Sequence, residues 1–250
     1  MKKSALLYAL IFTLFFSCQP KITESMIQDR LDEARKYGLE KNYEMAFQII
    51  DEVITDYPDY PPSYVLRASY MSILPNQRLD AINYLNKAIV IDPEYTTAYH
   101  LRGEIKSGLE GLNDLNTAIE LDSFDAGIFY SRGQLKNGLH NYYGALDDFN
   151  KALELDNLRS IEIKSTLFGD IALSKIQLFE YSEALDDVNK AIQLNPSNPT
   201  NFYIRYIYYS KTGELELAMK DLNYAKMLGL QDYGDILGMD SIPTFNYQNQ

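Results

Sequence analysis

The 250-residue chain has no tryptophan, one cysteine (Cys18) and two histidines (His100 and His140). A single cysteine excludes an internal disulfide, and so small a Cys/His inventory excludes the ligand clusters that hold structural zinc. Neither histidine has a serine, cysteine or acid at a spacing that suggests nucleophilic catalysis. There is no glycine-rich phosphate loop and no HExxH motif. Positive charge is scarce as well: 23 Lys and Arg against 35 Asp and Glu leave a formal net charge of −12. Such a surface repels nucleic acid backbones and anionic lipid alike. The expectation is therefore no enzyme, no cofactor, no metal site and no nucleic acid partner. Tyrosine is abundant, with 21 copies, so a large contact surface in this chain is expected to be built from tyrosine.

No apolar run reaches the ~20 residues that span a bilayer as a helix, but the N-terminus carries a shorter one. Lys2 and Lys3 precede a run from Ala5 to Phe16 broken only by Thr13, the layout of a secretory signal. The stretch Phe15-Phe16-Ser17-Cys18 that follows resembles the lipobox of bacterial lipoproteins, although Phe15 stands where that family prefers leucine. The resemblance implies a signal peptide over 1–17, cleavage before Cys18 and acylation of its sulfur and new amino terminus. Residues 18–24 would then be a short tether. Each buried CH₂ contributes about 0.8 kcal/mol, so more than one acyl chain makes a stable membrane anchor. Gln19 in place of aspartate implies retention at the outer membrane, facing the periplasm. An ordinary signal peptide cut elsewhere is the alternative.

The rest of the chain repeats itself. "YGALDDFNKALELD" (143–156), "YSEALDDVNKAIQLN" (181–195) and "EGLNDLNTAIELD" (110–122) share a small residue followed seven positions later by alanine and an aliphatic residue. The small anchors are Ala46, Ala81, Gly111, Ala145, Ala184 and Ala218, spaced 35, 30, 34, 39 and 34 residues apart. Their partners seven on are Val53, Ala88, Ala118, Ala152, Ala191 and Ala225. A second small residue precedes the anchor by twelve at Ala34, Gly133 and Ala172, and Ala68 precedes Ala81 by thirteen. Small residues at such spacings let two helices cross closely. Pro58, Pro93 and Pro196 mark places where a helix cannot continue.

This period and these residues resemble the tetratricopeptide repeat, a helix–turn–helix unit. The resemblance implies an all-α, right-handed superhelical solenoid of about six repeats over 25–230. Their bounds are about 27–60, 61–94, 95–124, 126–159, 165–198 and 199–230, with a C-terminal cap or tail over 231–250. Four residues are missing from the third copy, placed by alignment in the turn and the start of its second helix, where Tyr142 stands in the fourth copy. The fifth copy gains five residues around 159–163. Arg102, Arg132 and Arg205 recur against Asp114, Asp148 and Asp221, and this periodic pairing reads as a scaffold ion pair, for instance Arg132 with Asp148. In the second copy Tyr84 replaces the aspartate, and in the fifth Ile171 replaces the arginine.

In the family the first helix of each repeat lines the groove that holds a partner. Carried over by position, the groove residues are Leu31 and Arg35, Val65 and Ser69, then His100 and Glu104. The later copies supply Tyr130, Gln134 and Asn137, then Leu173, then Tyr203 and Ile207. The family's Lys/Asn clamp for a peptide carboxylate is absent, and the mixed aromatic, amide and aliphatic lining suits an extended or helical peptide segment. "NFYIRYIYYSK" (201–211) is apolar nearly all round, so this helix is expected to be covered on more than one side, by a cap over 231–237 or by a docked partner. The function implied is a protein-interaction scaffold or adaptor in a cell-envelope assembly. An outer-membrane-protein assembly lipoprotein, or a peptide- or glycan-binding accessory of an uptake or secretion system, are the alternatives.

Overall fold

The computed structural model describes residues 23–230, Arg159 excepted; Cys18, the signal and tether segments and the C-terminal stretch 231–250 lie outside the described residues. Twelve helices and no strands are present among them. They are α1 (Glu24–Leu39), α2 (Tyr43–Asp56), α3 (Pro61–Ser72), α4 (Arg78–Ile91), α5 (Thr96–Ile105) and α6 (Gly108–Leu121), followed by α7 (Ala126–Gly138), α8 (Tyr142–Leu155), α9 (Ile161–Gln177), α10 (Tyr181–Leu194), α11 (Pro199–Thr212) and α12 (Leu215–Met227). The described residues form two compact units that divide between Ala98 and Tyr99, inside α5. The first holds the pairs α1/α2 and α3/α4. The second holds α7/α8, α9/α10 and α11/α12 after α6.

The small residues of the repeat are the most deeply buried side chains. Ala34, Ala46, Ala68, Ala81 and Ala88 in the first unit, and Ala118, Ala145, Ala152, Ala172, Ala184, Ala191 and Ala225 in the second, expose 0% of their surface. They sit in the packed seams within and between helix pairs, and a larger buried residue stands four positions after each anchor: Ile50, Leu85, Leu115, Phe149, Val188 and Leu222. Volume is balanced across the pair. Phe149, the largest fully buried side chain, faces Gly133, where a Cβ would lie 2.5 Å from its ring. Pro58, Pro93 and Pro196 each fall two residues past the end of α2, α4 and α10, ending those helices as expected.

The two irregular repeats are explained by helix phase. Gly111 is the fourth residue of α6, as Ala145 is of α8, so the second helix of the third repeat is intact. The missing residues come out of α5, which has ten residues, and out of its turn, which Gly108 closes at φ +66°. This corrects the expected loss from the second helix. Gly111, Leu115 and Ala118 must all reach the core, and α6 can deliver them only with its full first turn. The extra residues of the fifth repeat lengthen its first helix instead: α9 has 17 residues against 13 in α7. Elsewhere the turn inside a repeat is closed by a residue with positive φ five positions before the anchor: Lys41, Asn76, His140, Phe179 and Gly213.

Candidate partner-binding face

The expected Arg–Asp pairing is present, and it extends further than expected. Arg132 on α7 donates from Nε and Nη2 to Asp148 on α8 at 2.9 and 2.6 Å, and Lys136, one turn on, reaches the same carboxylate at 2.8 Å. Arg102 with Lys106 does the same at Asp114, and Arg205 at Asp221. In the fifth repeat Ile171 makes no such pair and Lys175 alone holds Asp187, at 2.7 Å. Where Tyr84 replaces the aspartate, Arg67 turns to Asp51 of the preceding repeat and lies 3.6 Å above the Phe47 ring, with Nη1 buried and unbonded. A second bond runs backwards between repeats: Arg132 Nη1 to Asn116 Oδ1 and Arg205 Nη1 to Asn189 Oδ1, both 2.8 Å. The sequence reading missed these asparagines, although the signal is visible: an asparagine stands five residues after the anchor at Asn86, Asn116, Asn150, Asn189 and Asn223.

These contacts aim the cations of α7 and α9 toward second helices. The opposite flank of the first helices in the second unit carries a different polar system, built from neighbour to neighbour. On α5, His100 Nε2 lies 2.9 Å from Ser131 Oγ of α7, and Ser131 donates to Glu104 Oε1 at 2.7 Å. On α7, Tyr130 donates its hydroxyl to Asp170 Oδ2 of α9 at 3.1 Å, and Gln134 Nε2 donates to both at 2.8 and 3.0 Å. Ser174 of α9 donates to Asn137 Oδ1 at 3.2 Å. The arrangement is periodic: two residues a turn apart on one first helix grip the polar residue at one position of the next, Ser131 and then Asp170.

Of the carried-over groove residues, His100, Glu104, Tyr130, Gln134 and Asn137 are brought together in this system, all at least partly exposed. Arg35 and Ser69, in the first unit, are half-buried; Arg35 pairs with Asp32 and Ser69 donates to Leu66 O. Leu31, Val65, Leu173, Tyr203 and Ile207 are not groove residues in this structure. They are core, exposing 0%, 8%, 6%, 4% and 6%. Leu173, Tyr203 and Ile207 share one cluster with Phe202, Ile204 and Tyr208. Position on a repeat selects a helix flank, but bulky residues on neighbouring helices decide whether that flank reaches solvent. The helix 201–211 is covered on several sides as its composition implied, with Asn201 at 1% bonding Ser165 Oγ at 2.9 Å.

The His100–Ser131–Glu104 set superficially matches a serine–histidine–acid constellation, which the sequence reading did not anticipate because Ser131 is 31 residues away. Its connectivity differs from the catalytic one. The single hydroxyl proton of Ser131 goes to Glu104, so His100 Nε2 acts as the donor toward Oγ, a tautomer assigned from this network. A base must accept at that nitrogen and be oriented by an acid at the other. Glu104 instead lies 3.3 Å from the same nitrogen. The set is a hydrogen-bonded joint between two helices.

Asp170 is the electrostatic outlier. Burial against α7 pushes its carboxyl up to about 6, while the hydrogen bonds from Gln134 and Tyr130 work in the opposite direction. Burial and the Asp170 charge raise the Tyr130 phenol well above its ordinary range. No Lys, Arg or His pairs with Asp170 among the described residues. Those residues also hold no group of three His, Cys, Asp or Glu side chains able to bind a metal, and no helix among them is long and apolar enough to cross a membrane.

Helix pairs crossing on alanines at a period near 34 residues, with first helices adjacent to first helices, define the tetratricopeptide-repeat fold. Solved structures agree. The chain superposes on PilW, a type IV pilus biogenesis factor, with a TM-score of 0.73 over 86% of this chain and 100% of that one, at 13% identity. The Cut9–Hcn1 hetero-tetramer of APC/C gives 0.72 at 16% identity over 83% of this chain, which spans 41% of the matched chain's length. YrrB, a TPR protein with an unusual peptide-binding site, gives 0.54 at 19% identity over 72% of this chain and 92% of that one. No protein-family model matches the chain, and no curated protein matches its sequence.

Proposed function

We propose that this chain is a non-enzymatic protein-interaction scaffold of the bacterial cell envelope. In this reading it is held at the outer membrane by lipid on Cys18 and binds a protein or peptide segment across the first helices of its second unit. The observation that carries the binding reading is the half-exposed row from His100 and Glu104 through Tyr130 and Gln134 to Asp170. It presents amide, aromatic and carboxylate groups on a framework stiffened by bonds between successive helices. Pre-organised side chains cost little entropy on binding. The resemblance of YrrB supports the same assignment, and that of PilW, which this chain matches over its whole length, favours an accessory role in an envelope machine. The anchor reading rests on the segment around Cys18. Crosslinking in native membranes followed by affinity recovery tests the scaffold: envelope proteins should be recovered, and a yield no different from an untagged control removes it. Mass spectrometry of the native N-terminus tests the anchor, which an unmodified Cys18 thiol or a cut elsewhere overturns.

A further inference from the structure

The sign of the charge on the first-helix face of the second unit points to the chemistry of what it binds. On α7, Arg132 and Lys136 both end on Asp148. On α9, Lys175 ends on Asp187 and Lys164 on Asp156. Arg102 on α5 and Lys106 just past its end reach Asp114, and on α11 Arg205 ends on Asp221. Thus these cations serve second helices or the preceding loop. What remains on the flank joining α5, α7 and α9 is Glu104, Asp170 and one histidine among amides and hydroxyls. Asp170 accepts both its hydrogen bonds at Oδ2, from Tyr130 and Gln134. Among the described residues its Oδ1 accepts no hydrogen bond and is not wholly buried, and no Lys, Arg or His there pairs with the carboxylate.

We propose that the first-helix face of α5, α7 and α9 docks an extended peptide segment through a lysine or arginine side chain received at Asp170, with Glu104 adding negative charge further along the same face. The inference rests on the peptide-binding reading above and adds its charge specificity. A cation brought to a half-buried carboxylate gains a charge-assisted bond of the stronger kind, and an acidic ligand meets uncompensated repulsion there. The burial that holds the Asp170 carboxyl above its ordinary range is relieved by the same cation.

The test uses the full chain against an array of short peptides in three matched sets, bearing lysine or arginine, aspartate or glutamate, or only neutral residues. Hits are then measured by fluorescence anisotropy. Basic peptides should dominate. The Glu104→Gln/Asp170→Asn variant, which keeps every acceptor, should weaken them about tenfold or more. A control with the same charge change on exposed α10 positions, Glu183→Gln/Asp186→Asn, should leave affinity unchanged. Equal loss in the control reduces the effect to the net charge of the protein and overturns the proposal. Hits drawn mainly from neutral or acidic sets also overturn it, while leaving the peptide-binding reading in place. No hits above background in any set removes the binding reading itself, and the charge specificity with it.

Discussion

Asp170→Asn is expected to stabilise the protein at neutral pH and to lose that advantage in mild acid. The Asp170 carboxyl has an ordinary value of 3.8 and is raised to about 6 in the fold. A raised carboxyl means that the folded chain disfavours the charged form. The penalty is therefore fully present above the folded value and vanishes below the unfolded one. A gap of about two units at ~1.36 kcal/mol each corresponds to an upper bound of about 3 kcal/mol at pH 7.5. Most of the change falls between pH 6 and pH 4. Asparagine keeps an acceptor for Tyr130 and Gln134, so the substitution removes charge without orphaning its partners. Urea denaturation followed by circular dichroism, at pH 7.5, 6, 5 and 4, gives the difference between variant and wild type directly. The variant should be more stable by about 2–3 kcal/mol at pH 7.5 and equal within error at pH 4. A difference that does not change with pH, or a variant less stable at pH 7.5, refutes the reasoning: it would mean that water or a cation already compensates the carboxylate.

Four other perturbations probe the framework. Phe149→Ala removes the largest fully buried side chain from a crossing where Gly133 cannot fill the space, and should cost about 3–5 kcal/mol in denaturant midpoint. Asp148→Ala strands Arg132 and Lys136 in a half-buried setting and should cost about 3 kcal/mol. Asp187→Ala, which frees only Lys175, should cost about 1 kcal/mol or less; equal costs would show that the second cation is irrelevant. Phe179→Gly relieves a left-handed backbone at φ +63° on a side chain 76% exposed. The relief of about 1–2 kcal/mol, less the chain entropy of glycine, should leave a net gain of up to ~1 kcal/mol in thermal or urea unfolding.

The helix pairs were legible because their crossings demand small residues, and small residues at a fixed period are visible in a bare sequence. The Arg132–Asp148 pairing was legible for the same reason: it recurs. What did not recur was not legible. The left-handed turn position is filled by Lys41, Asn76, His140, Phe179 and Gly213, and only asparagine and glycine advertise such a backbone. The gap between Gly103 and Gly111 can be seen in the sequence, but assigning it to α5 rather than α6 requires knowing which residues the core must receive. The lining of the candidate face was half legible. His100, Glu104, Tyr130, Gln134 and Asn137 follow from position on the repeat, whereas Asp170 and Ser131 are seen only when the neighbouring helix is in place. Leu173, Tyr203 and Ile207 occupy the same nominal positions and are buried, because the residues that decide exposure lie on other helices.

The backward bonds of Arg132 and Arg205 give the second unit a direction. Arg132 and Arg205 each reach the asparagine of the preceding repeat, whereas the bonds that run to the following repeat come from the other flank, from His100 and Glu104 to Ser131 and from Tyr130 and Gln134 to Asp170. With Ile171 in the fifth repeat, Asn150 of the fourth receives no such bond and stays exposed. The join between α8 and α9 is thus where a whole repeat can be inserted or lost without breaking an arginine tie. A repeat inserted there would leave both arginine ties intact but would have to supply its own partners for Asp170 and Ser174.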